Sequence, residues 1–178
     1  MVLVIKSKQE LEKATLKDAN LILLDTDEKE IRRIIEYLKT KNKSLSLAVF
    51  GRDDSFNRRM IETCKIHFLI SPERETEKVK KKDSLKQRDS GLNHYLAKEA
   101  KKKGIAIIID FSDIKSLSGK KQAIRLSRVM QNIIICRKAK CRLLIIDFSE
   151  KASKKELMDF GFSLGMSSQQ AKDAVEKI

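Results

Sequence analysis

Tryptophan is absent, proline occurs once and glycine six times in 178 residues. That scarcity excludes collagen-like, Pro-rich and elastic low-complexity chains and favours regular helix and strand. Cysteine is sparse as well. Cys64, Cys136 and Cys141 make an odd number with no CxxC pair, so neither a disulfide framework nor a zinc ribbon is indicated. They are expected to be reduced and mostly buried. Two histidines, His67 and His94, with no HxH or HExxH, exclude a histidine-rich metal site. No apolar run approaches the roughly 18 residues of a membrane span, and the opening MVLVIKSKQE lacks the apolar stretch of a signal peptide. A soluble, cytoplasmic protein without a membrane partner is expected. The phosphate-loop and hydrolase motifs are missing too. SLSGKK has Gly119-Lys120 but not the earlier glycine of a Walker loop, and neither GxGxxG nor GxSxG occurs.

What is present is a core and a positive charge. Apolar residues make up 41% of the chain, enough for a single domain read as 1–178. The net charge is +14 and it is unevenly placed. Residues 115–142 hold nine basic residues and no acidic one, and residues 74–103 hold eleven basic against five acidic. A solvated surface has no need to concentrate charge in this way, so a nucleic-acid partner is favoured. Aromatic residues are only 5% of the chain and no strand carries them in a spaced pattern. Phosphate and shape contacts to structured RNA or duplex are therefore expected over base stacking on a single strand.

Strand-length apolar runs recur at 2–5, 21–24, 47–50, 67–70, 105–109 and 143–146. They are continuous rather than alternating, which predicts parallel strands buried on both faces. Helix-period segments lie between them. In DEKEIRRIIEYLKT, for example, Ile31, Ile34, Ile35 and Leu38 share a face. The first four strands start about every twenty residues, the period of a compact βα unit in a doubly wound sheet or a (βα) barrel. The rhythm breaks at 71–87, which holds the only proline and a lysine cluster and reads as a charged surface loop or insertion. Asp89 or Ser90 should then cap a helix running to about Lys103, closed by Gly104. His94, Lys98, Lys101 and Lys102 fall on one side of it. His94 there is either an RNA contact or a plain surface residue, whereas His67 at a strand start reads as structural. The next helix spans about 119–139. Leu126, Val129, Met130 and Ile133 are expected to pack inward, with Lys121, Arg125, Arg128 and Asn132 forming an outer stripe. Its end adds Arg137, Lys138, Lys140 and Arg142.

Asp25, Asp110 and Asp147 each sit at the end of a strand run. Three carboxylates there could hold a Mg²⁺ for phosphoester hydrolysis. The simpler reading, which is favoured, makes each a turn former or helix cap. Cys136 and Cys141 lie beside a basic helix end, but no histidine is near in sequence to activate a thiol. No catalytic or metal-binding residue is therefore assigned.

The blocks RDSGLNHYLAKEAKKKGIAI (88–107), FSDI (111–114), RVMQNIIICRKAK (128–140) and GFSLGMSSQQAKDAV (161–175) resemble, in order and spacing, the archaeal and eukaryotic thirty-kilodalton protein subunit of ribonuclease P, protein component 3 in archaea. The resemblance is close over 88–178 and rests on the βα rhythm over 1–70. It implies an α/β fold, a shortened or irregular TIM-barrel-like barrel related to PHP phosphoesterases but lacking their metal ligands. It implies a non-catalytic subunit of the endonuclease that frees the 5′ end of precursor tRNA. The hydrolysis would be done by the RNA with its own Mg²⁺, and the protein itself would carry no cofactor. The implied partners are the ribonuclease P RNA, precursor tRNA indirectly, and a smaller ferredoxin-like protein in a heterodimer or heterotetramer. Arg88 and His94 are assigned to RNA binding from the family block, and Lys98, Lys101, Lys121, Arg125, Arg128, Arg137, Lys138, Lys140 and Arg142 from face geometry. The chain departs from longer relatives in a short C-terminus and in Asp147-Phe148-Ser149 after the last strand.

Overall fold

The computed structural model describes residues 2–14, 20–41, 45–77, 79–84 and 87–175. Six strands appear where the apolar runs place them: β1 (Val2–Ile5), β2 (Leu21–Leu24), β3 (Ser46–Phe50), β4 (Phe68–Ile70), β5 (Ala106–Asp110) and β6 (Leu143–Ile146). The helices between and after them are α1 (Lys8–Lys13), α2 (Glu28–Thr40), α3 (Asp54–Thr63), α4 (His94–Lys102), α5 (Phe111–Ser116), α6 (Gly119–Ala139), α7 (Lys154–Ser163) and α8 (Ser168–Ala174). Most helices start on a short polar cap. Ser7, Asp27, Asp53, Asn93, Asp110, Ser153 and Ser167 each accept the backbone N–H three residues on.

All five pairings are parallel and the sheet order is β1-β2-β3-β4-β5-β6. Each crossover thus lands on the next strand in the same direction, the winding of a (βα) barrel; a doubly wound sheet would reverse its order partway. Alternate strand residues face opposite sides. Ile22, Leu24, Val49, Leu69, Ile107, Ile109 and Ile145 join the core with the helices. Leu21, Leu23, Ala48, Phe68, Ile70, Ala106, Ile108 and Leu144 form a second cluster made of strand residues alone. That face is buried without a helical layer over it, so the sheet must curl on itself. The curl is open at one edge: Val2 and Val4 on β1 are 43% and 57% exposed, and among the described residues no ladder joins β6 to β1. The fold is a TIM-barrel-like α/β sheet with its helices on the outside.

Two expectations about local structure need correction. Asn93 caps α4, because Asp89 and Ser90 are engaged elsewhere: Asp89 accepts from the Lys82 N–H (2.8 Å) and Lys81 Nζ (3.3 Å), and the Ser90 hydroxyl donates to Leu92 O (3.2 Å). The described part of 71–87 is also more than a surface excursion, since Ser71, Glu73 and Lys81 are buried. Gly91 shows how tightly the segment is seated. Its φ is +69°, and a Cβ there would lie 1.9 Å from Pro72 O.

Candidate nucleic-acid interface

The residues assigned to RNA binding from sequence divide into three places. Arg125 and Arg128 are inside, only 6% and 3% exposed, and this overturns the outer stripe. Arg128 Nη2 pairs with Asp83 Oδ2 at 2.9 Å and its Nη1 with Glu75 Oε2 at 3.4 Å. Arg125 Nη1 meets Asp113 Oδ2 at 2.8 Å and Glu73 Oε1 at 3.7 Å. Asn132 is buried beside them and donates to Ser90 O (3.1 Å) and Glu73 Oε2 (3.3 Å). Gln131 exchanges two hydrogen bonds of 2.8 Å with the Arg88 backbone. The polar stripe of α6 therefore clamps the segment between β4 and α4. Met130, expected inside, is the exposed residue. The signal available in the sequence was complementary charge: α6 carries no acid, and three of its four acidic partners, Glu73, Glu75 and Asp83, lie in the segment it holds.

The electrostatics of the clamp follow from burial. Desolvation pushes the Asp83 carboxyl up, but the Arg128 guanidinium and the Asp89 N–H together hold it below its ordinary range. Glu75 behaves in the same way, through the Lys81 N–H and Arg128. Glu73 is fully enclosed, and burial raises its pKa despite Arg125.

A second group, Arg88, His94 and Lys121, is exposed where helices leave the carboxyl ends of the strands, with Lys98 exposed midway along α4. The exposed Tyr95 beside them carries the Arg58 guanidinium 5.9 Å from its ring centre. An aromatic content of 5% gives no sign of it.

The third group lies at the opposite edge of the sheet. α4 and α6 both end at the amino-terminal edge of the sheet, where β5 and β6 begin. The ends leave Lys101, Arg137, Lys138, Lys140 and Arg142 exposed. Arg137, Lys140 and Arg142 line one crevice of about 450 Å³, opposite Ser167, Gln169 and Gln170 at the start of α8; Asp173 is the one carboxylate in its wall. Arg137 Nη1 donates to Gly165 O at 3.4 Å, tying α6 to the α7–α8 turn. A larger groove of about 1100 Å³ between α1 and α2 is lined by both signs of charge, including the Arg33–Glu30 pair, and has no such excess.

The strand-end aspartates are each used separately. Asp25 pairs with Arg74 (3.3 Å) and Arg52 (4.0 Å). Asp110 caps α5, accepting from the Asp113 N–H (3.1 Å) and the Ser112 hydroxyl (2.5 Å). Asp147 accepts from the N–H groups of Ser149, Lys151 and Ala152 at 2.7–3.0 Å. Among the described residues no group of three His, Cys, Asp or Glu stands close enough to hold a metal ion. No helix among them is long and apolar enough to cross a membrane.

No family model matches the chain. It is 30% identical over 107 residues to ribonuclease P protein component 3 of Methanococcoides burtonii, a match covering 60% of this chain. The chain spans about two-fifths of that relative's length, 39%. Its structure superposes on a chain in the cryo-EM structure of archaeal ribonuclease P with mature tRNA at a TM-score of 0.69 and 21% identity, covering 97% of this chain and 76% of that one. An amidohydrolase (TM-score 0.60, 11% identity, 92% of this chain and 41% of that one) and Aspergillus niger ochratoxinase (0.58, 14%, 88% and 38%) share the fold. The chain is thus similar in sequence, over a 107-residue segment, to a ribonuclease P protein component 3, and similar in fold, over nearly its whole length, to a chain of archaeal ribonuclease P.

Proposed function

We propose that this chain is a protein subunit of ribonuclease P that binds the catalytic RNA and supports it in 5′-end maturation of precursor tRNA. The observation that carries the reading is the rim at the amino-terminal edge of the sheet. Lys101, Arg137, Lys138, Lys140 and Arg142 are exposed there at and just beyond two helix ends, three of them in one crevice, on a chain similar to a ribonuclease P protein. Such a rim suits a phosphate backbone held at fixed spacing, and cation neutralisation supplies most of the affinity. Arg88, His94, Lys98 and Lys121 form a second, looser contact area on the same account. In this role the protein needs no cofactor, and bond cleavage belongs to the RNA and its Mg²⁺. A smaller ribonuclease P protein is its expected protein partner. The strand-end aspartates, engaged separately with Arg74, α5 and the 147–152 turn, favour this reading over a Mg²⁺-dependent phosphoesterase. Affinity purification from cells that make the protein, with sequencing of the bound RNA, tests this reading. One dominant structured species that cleaves precursor tRNA is expected. A broad mixture of duplex RNAs would make the protein a general duplex binder instead.

A further inference from the structure

The end of α6 places two cysteines together. Lys140 takes the left-handed conformation (φ +54°), the Cys141 N–H donates to Cys136 O (2.9 Å), and the Lys140 N–H donates to Arg137 O (3.2 Å). This pair of bonds closes a helix with its fourth-from-last residue against the second residue beyond it, a contact usually made by two apolar side chains. Here both are thiols, and both are buried. Both also reach the floor of the basic crevice, between Arg137, Lys140 and Arg142. Cys64 lies apart at the end of α3, next to the Thr63 hydroxyl at 3.9 Å.

We propose that Cys136 and Cys141 form a thiol–disulfide site, oxidised by hydrogen peroxide, whose closure reshapes the crevice and weakens its hold on RNA. The second half of this rests on the RNA-binding reading above. Cys141 reacts first, because it is 7% exposed whereas Cys136 is wholly enclosed. The Cys141 thiolate attacks one peroxide oxygen and the O–O bond breaks, giving a sulfenic acid and, with the thiol's proton, one water. The Cys136 sulfur then attacks the Cys141 sulfur. The S–O bond breaks, and the hydroxyl leaves with the Cys136 proton as a second water. Two thiols lose two electrons and one peroxide gains them. The disulfide holds the two sulfurs at about 2.05 Å. That draws Cys141 toward α6 and off Ile105 O, to which its Sγ now donates at 3.7 Å, and the flanking Lys140 and Arg142 move with it.

The experiment treats the reduced protein with hydrogen peroxide, blocks remaining thiols with N-ethylmaleimide and maps tryptic peptides by mass spectrometry. RNA affinity is measured in parallel. The expected result is a 136–141 linkage lighter by two hydrogens and reversed by dithiothreitol, Cys64 still alkylated, and a several-fold, reversible loss of affinity for ribonuclease P RNA. Cys136→Ser, or Cys136→Ala if the first unfolds, should bind RNA equally before and after peroxide. Absence of the linkage overturns the site. A linkage with unchanged affinity overturns the regulation. If the reduced protein binds no RNA, the RNA reading fails, and the peptide map alone then decides the thiol site.

Discussion

Arg128 and Lys121 share a helix and a charge, and they should respond to reversal in opposite ways. Lys121 is exposed, so Lys121→Glu should change stability by no more than about 0.5 kcal/mol. Arg128 is enclosed between Asp83 and Glu75, so Arg128→Glu would bury a third carboxylate with no cation and should cost roughly 3–5 kcal/mol. Chemical denaturation of the two variants checks this, and comparable midpoints would contradict the clamp. The same carboxylates set a pH dependence. Asp83 and Glu75 titrate below their ordinary range in the folded state, so their contribution is present above the unfolded carboxylate pKa and is lost as pH falls through the folded values. Glu73 titrates above its ordinary range, so its contribution is present at low pH and is lost as pH rises through its folded value. Asp83→Asn should therefore flatten the acid limb of a melting-temperature profile, and Glu73→Gln should flatten the decline on the other side. Identical profiles for wild type and both variants would remove the linkage. Which cations are inside was not legible at this scale. Arg125, Arg128 and Asn132 show the spacing of a solvated stripe; complementary charge in the preceding segment is the one sequence sign against it, and the position of Glu73, Glu75 and Asp83 in three dimensions turns it inward.

At the scale of elements, most of the fold was legible. Continuous apolar runs mark all six strands to within a residue or so, because a strand buried on both faces needs no polar alternation. α6 begins and ends where its periodicity places it, and α2 buries Ile31, Ile34, Ile35 and Leu38 as its pattern requires. The segment after β4 was not legible, since its anchors are long-range: Asn57 Nδ2 donates to Gly91 O at 3.0 Å, and Gly51 and Gly91 both leave room only for Pro72. Gly91→Ala combines a positive φ with a blocked Cβ and should cost at least about 1–3 kcal/mol. Gly104→Ala, with a similar φ but open space around it, should cost less. Thermal melts of the two variants check the order, and equal losses would mean that the Pro72 contact yields freely.

Over the whole molecule, the positive charge is spent on two different tasks. Part of the excess in 115–142 neutralises the acids of the segment after β4 and is unavailable to a partner, while the helix-end cations at the amino-terminal edge of the sheet remain exposed. The candidate site is thus narrower than composition suggested, and it centres on Lys101, Arg137, Lys138, Lys140 and Arg142. Measuring the affinity of Lys101→Glu/Lys138→Glu/Lys140→Glu for ribonuclease P RNA across a salt series, beside wild type, tests this most directly. Taking about 0.9 units of log–log slope per neutralised phosphate in a duplex, the account predicts weaker binding and a slope flatter by roughly two to three units, in a protein that melts as wild type does. A folded triple variant with wild-type affinity and wild-type salt slope would contradict it.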